Sequence, residues 1–550
     1  MEAHHATYFE AIADAIPDAP VLGQGDRIVT YRQMDERTAR LAGALKAAGL
    51  TTQSKVAIDM FNCLEWLEAY YGSIKGRFVP VSINYRYLDD ELMYLFDNSD
   101  AEALIFHASL GERVIRVAQR LPRIKALIQV DDIGGAPVPD GVLDYDDIVN
   151  NHAPMERIER SGDDITMWFS GGTTGMPKGV ILPIARSAES AMSRELRIRT
   201  MGRFDAKPED LPLDVVEGAK LNWEQGGRPV SLPAAPLMHS TALSYCGPAV
   251  IYCGGMVVTL QDHHFDSHQL WQTVDKFKVT TITIVGDAFA KPMTRALEEA
   301  AADGKPYDGS SLDTIYSAGV VWSAGVKDRL FDFLPRVILV DNCGSSEGAW
   351  YGTQVLRKGD PTSSAAFTPA PNILLLDEHD QPIPKDSDQP GLLASVTGMA
   401  GYHKDPEKTA QNFRHINGLW YTTPGDLGRY NPDGTITLIG RGSSVINTGG
   451  EKVYPEEVDD VVKQLEDVDD CLVVGTPNER FGQQVTAVVQ RRKGGTVSEQ
   501  EIIDYVRTKL AHYKGPRAVV FVEKVPRLQN GKPDYPTTRE IAEKAMADRA

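Results

Sequence analysis

The chain has 550 residues, 42% of them hydrophobic, and a formal net charge of -19. That length and apolar fraction can bury a large core and suffice for two or more domains. The acidic balance excludes a nucleic-acid surface, because neutralising a phosphate backbone requires clustered Lys and Arg, and the longest basic cluster is Gln490-Arg491-Arg492-Lys493.

At the N-terminus, Phe9, Ile12 and Ile16 recur at helical spacing among Glu2, His4, His5, Glu10 and Asp14. This predicts an amphipathic helix and not a signal peptide. No segment approaches the ~20 apolar residues of a membrane span, so the predicted location is cytoplasmic. Cys63, Cys246, Cys253, Cys343 and Cys471 are far apart and form no Cys-x-x-Cys pair, which predicts a reducing compartment with no disulfide and no structural zinc.

Short apolar runs bounded by turn residues follow at 55–61, 103–106, 279–285, 337–340 and 373–376, with helical patterns between many of them. This alternation predicts an α/β fold with largely parallel sheets flanked by helices, whose ligands gather at the carboxyl ends of the strands. Residues 203–232, rich in Pro, Gly and charge, read as an inserted surface loop. His263-His264 invites a metal reading, but no third ligand follows at suitable spacing, so the pair is taken as surface.

The most informative segment is 169–180, Phe-Ser-Gly-Gly-Thr-Thr-Gly-Met-Pro-Lys-Gly-Val, directly after the strand-like run 165–169. Gly171, Gly172, Gly175 and Gly179 let backbone N–H groups approach an anion without a Cβ in the way. Ser170, Thr173 and Thr174 add hydroxyl donors, and Lys178 adds a cation. Lys178 is followed by Gly179 and Val180, so this is not the Gly-Lys-Ser/Thr phosphate loop. The loop predicts a nucleotide and leaves the reaction open; a Gly/Thr turn at a sheet edge is the structural alternative.

Near residue 440 the texture changes. Thr435 to Ile439 reads as a strand, and Gly440-Arg441-Gly442-Ser443-Ser444 as a flexible joint. A boundary is placed there, giving domains 1–440 and 441–550. Beyond it, Pro455, Glu456 and Glu457 open an amphipathic helix, 470–475 is a strand, and Ile502, Ile503, Val506 and Leu510 mark a second helix. This is a small α+β domain. It ends near a basic turn, Pro526-Arg527-Leu528-Gln529-Asn530-Gly531-Lys532.

Taken in order, the 169–180 loop, Cys343-Gly344-Ser345-Ser346-Glu347, Tyr421-Thr422-Thr423-Pro424-Gly425-Asp426, Gly440-Arg441 and Asn530-Gly531-Lys532 resemble the adenylate-forming acyl-CoA synthetase family. The resemblance covers nearly the whole chain. Within the family, the segments 285–292 and 447–453 are similar to the branch that activates bulky steroid side-chain acids. The resemblance implies a two-step ligase: a carboxylate attacks the α-phosphorus of ATP to give an acyl adenylate, and the thiol of coenzyme A then displaces AMP. It implies ATP, Mg²⁺ and coenzyme A as cofactors, a small-molecule partner that is a bulky hydrophobic carboxylic acid, a mobile small domain and a homodimer.

By the same resemblance, Ser170, Gly171, Gly172, Thr173, Thr174, Gly175 and Lys178 hold phosphates, and Glu347 with Thr173 holds Mg²⁺. Ser346 lies beside the nucleotide, Gly319 forms the adenine-side turn, and Asp426 with Arg441 holds the ribose. Lys532 is the catalytic cation of the first half; a unit charge ~4 Å from the α-phosphate contributes up to about 4 kcal/mol at an effective dielectric near 20. Ser443 is the pivot, Gly449 and Gly450 line the pantetheine channel, Lys452 meets coenzyme A phosphate, and His239 is a gate to the acyl tunnel. The chain departs from the family in having Cys343 where an aromatic residue is usual, and Ser443 and Ser444 where acids are usual. Two alternatives stay open: an adenylating enzyme that loads a carrier-protein phosphopantetheine, and a non-catalytic nucleotide-binding protein.

Overall fold

Period-two apolar patterns become three sheets in the computed structural model. It describes residues 2–170, 177–320, 322–363, 366–441, 444, 446–448, 451–478, 482–510, 512–528 and 532–549, with the side chains of Arg441, Asn447, Glu451 and Lys452 outside that description. In the first sheet, strands Val230–Pro233, Thr281–Ile284, Thr314–Ala318 and Ile338–Gly344 run parallel in that order, as the apolar runs predict. Trp350–Leu356 then folds back antiparallel on the last of them. Helices Ser267–Phe277 and Gly286–Ala302 bury Leu270, Trp271, Val274, Met293 and Leu297 against this sheet.

In the second sheet, Lys55–Asp59 lies between Val79–Ser82 and Ala101–His107, all parallel, and Val79–Ser82 pairs onward with Ile165–Ser170. The N-terminal helix forms as predicted over His5–Ala15, with Phe9 and Ile12 buried. Among the described residues, no helix is long and apolar enough to cross a membrane. All five cysteines are buried and unpaired.

The third sheet belongs to the C-terminal part. Val468–Asn478 pairs with Gly482–Arg491, and Ala518–Val522 lies parallel to the latter. Alternation serves two faces: Val473, Val485, Ala487, Val489 and Val519 pack under helices Pro455–Val462 and Glu499–Lys509, while Val474, Val488 and Val520 pack under helix Tyr535–Ala547. This part therefore has its own core, covered on both faces.

Two sequence readings are corrected. Residues 203–232 are not a surface loop: Val215–Glu224 is a helix with Val215 and Ala219 in the core, and Val230–Pro233 is a fully buried inner strand. The Pro and Gly content belongs to the turns around those elements. Gly440 and Arg441 are not part of a loose joint, because strand Ile436–Arg441 runs through them. Gly440 has φ +126, and a Cβ there would stand 2.1 Å from Glu456 Oε2, so this glycine permits close approach of helix Pro455–Val462.

Burial also fixes protonation. His5 is enclosed between Tyr252 Oη at 2.9 Å and Ser187 Oγ at 2.8 Å, and burial pushes its pKa down to about 3. Burial likewise lowers His107 to about 4. Both stay neutral in the folded chain, whereas the unfolded chain takes up these protons near the ordinary imidazole value of 6.5. The contribution is therefore complete above that pH and is lost as pH falls, by up to about 1.4 kcal/mol per pH unit for each histidine. Denaturant midpoints measured near pH 7 and near pH 5.5 should fall less in His5→Gln than in the native chain; equal falls would contradict this reading of His5.

Candidate active site

The strand Ile165–Ser170 pairs antiparallel with Lys178–Pro183, with Ser170 opposite Lys178. Gly171, Gly172, Thr173, Thr174 and Gly175 lie outside the described residues. Ser170 ends the first of these strands and is buried, and Lys178 begins the second. The Lys178 ammonium rests 3.1 Å from Asp405 Oδ2 and 5.5 Å from the centroid of the Tyr402 ring. The Lys408 N–H and then the Lys178 ammonium hold Asp405 below the usual carboxylate range. Both partners of this ion pair are about one-third exposed, a setting in which such pairs contribute only about 0–1 kcal/mol. An incoming phosphate can therefore take over Lys178 at small cost.

Tyr402 connects that cation to the second motif. Its backbone pairs with Val180 of strand Lys178–Pro183, and its hydroxyl donates to Glu347 Oε1 at 3.1 Å while accepting from Asn412 Nδ2 at 2.9 Å. From the neighbouring strand, Trp168 Nε1 donates to Ser346 O at 2.9 Å. These contacts cross from the second sheet to the loop that follows Ile338–Gly344 in the first, and they bring Glu347 close to the paired strands Ile165–Ser170 and Lys178–Pro183. Glu347 is 9% exposed. Beside it, the buried Ser345 Oγ has no hydrogen-bond partner among the described residues. A neutral phenol orients the carboxylate without setting an opposing charge beside it, and such a hard oxygen donor fits Mg²⁺.

A second held carboxylate is Asp426, the first residue of strand Asp426–Tyr430 and also 9% exposed. Tyr351 Oη donates to Asp426 Oδ2 at 2.8 Å. Arg441 is the direct cross-strand neighbour of Asp426; its side chain lies outside the description. Burial, then the nearby Asp426 charge, push the Cys343 thiol far up, so no thiolate forms there. Gly319 has φ +95, and the nearest atom to an added Cβ is 3.7 Å away, so conformation and not space requires glycine at this turn.

Several members of this site are silent in the sequence reading. Tyr351 and Tyr402 look like ordinary strand aromatics, and Asp405 is remote in sequence from the lysine it holds. Asn342 had a usable signal, since it directly precedes Cys343. It pairs across the sheet with Ala318, next to the Gly319 turn; its Oδ1 accepts from Thr353 Oγ1 at 2.8 Å, and its buried Nδ2 has no partner among the described residues. An unsatisfied amide donor in that place suits a purine acceptor.

His239 follows strand Val230–Pro233 and precedes helix Ser240–Cys246, and its buried Nε2 likewise has no partner among the described residues. Burial first, then the positive charges of Lys532 and Arg86, lower its pKa to about 4. The imidazole is neutral at physiological pH. The same fact places the Lys532 ammonium of the small domain within electrostatic reach of the large domain's site. Ser443, Gly449 and Gly450 lie outside the described residues, and Lys452 is described only as backbone in strand Glu451–Val453.

The surface reading holds for His264 and not for His263. The His263 ring stacks on Phe61 at 4.1 Å, and its Nε2 lies 3.4 Å from Asp132 Oδ2, with His107 completing the group. The two partners come from distant strand ends, which spacing along the chain cannot reveal. His107 Nδ1 already accepts from Phe61 N at 3.1 Å, so a metal at that atom would displace a backbone hydrogen bond.

Residues 9–402 match the AMP-binding enzyme family, and residues 457–532 match the AMP-binding enzyme C-terminal domain. The chain is 38% identical over 543 residues to a 3-oxocholest-4-en-26-oate–CoA ligase of Rhodococcus rhodochrous, covering 97% of this chain and 95% of that relative. It is 35% identical over 543 residues to a medium/long-chain-fatty-acid–CoA/3-oxocholest-4-en-26-oate–CoA ligase of Mycobacterium tuberculosis strain H37Rv, covering 98% and 96%. Its fold is similar to an anthranilate CoA ligase in complex with anthranoyl-AMP, with a TM-score of 0.82 at 22% identity over 100% of this chain and 98% of that one. It is also similar to ATP-bound MatB from Rhodopseudomonas palustris, with a TM-score of 0.80 at 22% identity over 99% and 100%. The sheet order, the paired tyrosine–carboxylate contacts and these matches lead to one conclusion: the chain belongs to the AMP-binding enzyme family.

Proposed function

We propose that the chain is an ATP-dependent, AMP-forming acid–CoA ligase acting on bulky hydrophobic carboxylic acids, either steroid side-chain acids or fatty acids. The observation that carries this reading is the match to both AMP-binding enzyme models together with 38% identity over 97% of the chain to a CoA ligase, and the carboxylates of Glu347 and Asp426, held by Tyr402 and Tyr351, suit it. The names of the relatives at 38% and 35% identity support the choice of substrate class.

The first half joins two anions, so the site must neutralise charge and align the carboxylate in line with the leaving pyrophosphate. We assign Ser170, Gly171, Gly172, Thr173, Thr174, Gly175 and Lys178 to the phosphates, with Lys178 moving from Asp405 onto the ligand. Mg²⁺ held by Glu347 and Thr173 would supply further charge neutralisation when bound. Asp426 and Arg441 take the ribose hydroxyls, with Tyr351 fixing the Asp426 carboxylate. Gly319, Asn342 and Ser346 border the base, and Lys532 stabilises charge developing at the α-phosphate. Neutral His239 forms an uncharged wall between nucleotide and acid.

For the second half, we take residues 1–440 and 441–550 as two bodies that reorient about Ser443. Lys532 is withdrawn, and Gly449, Gly450 and Lys452 meet coenzyme A. We place the protein in the cytoplasm as a homodimer with small-molecule partners and no nucleic acid.

Lys532→Ala should slow acyl-adenylate formation by about 10²-fold or more, the scale of losing one oxyanion-type contact. Thioester formation from presynthesised acyl adenylate should stay near the native rate; equal loss of both halves contradicts the assignment. Selectivity is checked by AMP release from steroid, fatty and aryl acids with and without coenzyme A. Apolar contacts contribute about 1–3 kcal/mol per methylene-scale group, so kcat/KM for a steroid or long-chain acid should exceed that for a small aryl acid by at least about 10-fold. A preference for aryl acids, or turnover only with a carrier protein, contradicts the substrate assignment.

A further inference from the structure

The turn that carries Lys532 is anchored by a two-residue step, Asp469-Asp470, that also touches the large domain. The ladder between Val468–Asn478 and Gly482–Arg491 shifts register here: Val468 pairs with Arg491 and Asp470 with Gln490, which leaves Asp469 as the extra residue of a bulge. A bulge frees one residue's backbone from the ladder and re-aims the neighbouring side chains. The Asp469 carbonyl accepts from Lys291 Nζ at 2.6 Å, and Lys291 lies on helix Gly286–Ala302 of the large domain. The Asp469 side chain accepts from Gln490 Nε2 at 2.6 Å, and Gln490 Oε1 accepts from Val525 N at 3.1 Å, just before the basic turn.

Asp470 completes the anchor. Its two oxygens accept from Arg527 Nε at 2.6 Å and from the terminal Arg527 Nη2 at 2.7 Å, a bidentate fork that fixes orientation as well as distance. Arg527 forms an antiparallel bridge with Pro533, and Leu528 N donates to Lys532 O at 2.8 Å, so the base of the turn is closed on both strands. A continuous path therefore runs from Lys291, through Asp469, Asp470 and Arg527, to the lysine whose charge reaches His239.

We propose that the Asp469-Asp470 bulge is a positioning element for the first half-reaction: it couples docking of the small domain on Lys291 to placement of Lys532 through Arg527. This inference rests on the reading of Lys532 given above. None of the four residues needs to touch substrate. Their effect is geometric, and a displacement of about 1 Å at a reacting group can cost about 10²-fold in rate. The Lys291 contact joins the two domains in the present orientation, so it serves the adenylation pose and has no call on the thioester-forming one.

The test compares Lys291→Met, Arg527→Met and Lys532→Ala in the full-length protein, measuring pyrophosphate release in the first turnover and, separately, thioester formation from presynthesised acyl adenylate. The proposal expects Lys291→Met and Arg527→Met each to slow the first half by about 10- to 100-fold and to leave the second within about 2-fold. Arg527→Lys, which keeps charge without the fork, should recover only part of the loss. Lys291→Met alters a partly exposed residue of the large domain, so its result stands even where Arg527→Met unsettles the small domain. If Lys532→Ala separates the halves while Lys291→Met leaves both unchanged or lowers both alike, the positioning role is overturned and the reading of Lys532 survives. If Lys532→Ala itself lowers both halves alike, both ideas fall.

Discussion

The site depends on two carboxylates held almost out of water by neutral phenols. Glu347 is fixed by Tyr402 and Asp426 by Tyr351, and each acid is 9% exposed. Hydrogen bonds to charged groups contribute about 1.5–3 kcal/mol, enough to orient a side chain firmly. A lysine or arginine in the phenol's place would have cancelled the charge. The phenols position it and leave it available, in the function proposed above one acid for a hard cation and the other for vicinal hydroxyls.

The cations are arranged on the opposite plan. Lys178 waits on Asp405 in a partly exposed pair that a phosphate can displace, and Lys532 sits on a turn of a domain with its own core. His239, facing Lys532 and Arg86, is kept neutral by burial and by those two charges, so it competes with neither for an anion. In the function proposed above, the negative groups stay fixed and the positive groups move. That division suits an active site that must bring three anionic or nucleophilic partners together in sequence, because neutralising charge can arrive and leave without rebuilding the cradle. The Trp168–Ser346 contact holds the two large-domain sheets in register while it does so.

The sequence made the fold class legible because strand and helix periods were clear: the N-terminal helix, the parallel strands around 281 and 338, and the helices and strand that make the small domain α+β all follow from apolar spacing. Composition misled at 203–232, where Pro and Gly mark turns between buried elements, and at Gly440, where a glycine that reads as a hinge serves close packing inside a strand. The acids and cations were named because they lie in short motifs. Their partners were not, because Tyr351, Tyr402 and Asp405 acquire meaning only when strands far apart in sequence are paired. The same holds for His263, whose neighbours His107 and Asp132 come from the ends of other strands.

The most direct measurement of the central claim is exchange of labelled pyrophosphate into ATP by the native protein in the absence of coenzyme A. A site in which these acids and cations meet on one triphosphate predicts exchange that requires both Mg²⁺ and a bulky hydrophobic carboxylic acid. Exchange that ignores the acid, or ATP cleavage with no exchange under any acid tested, would contradict it.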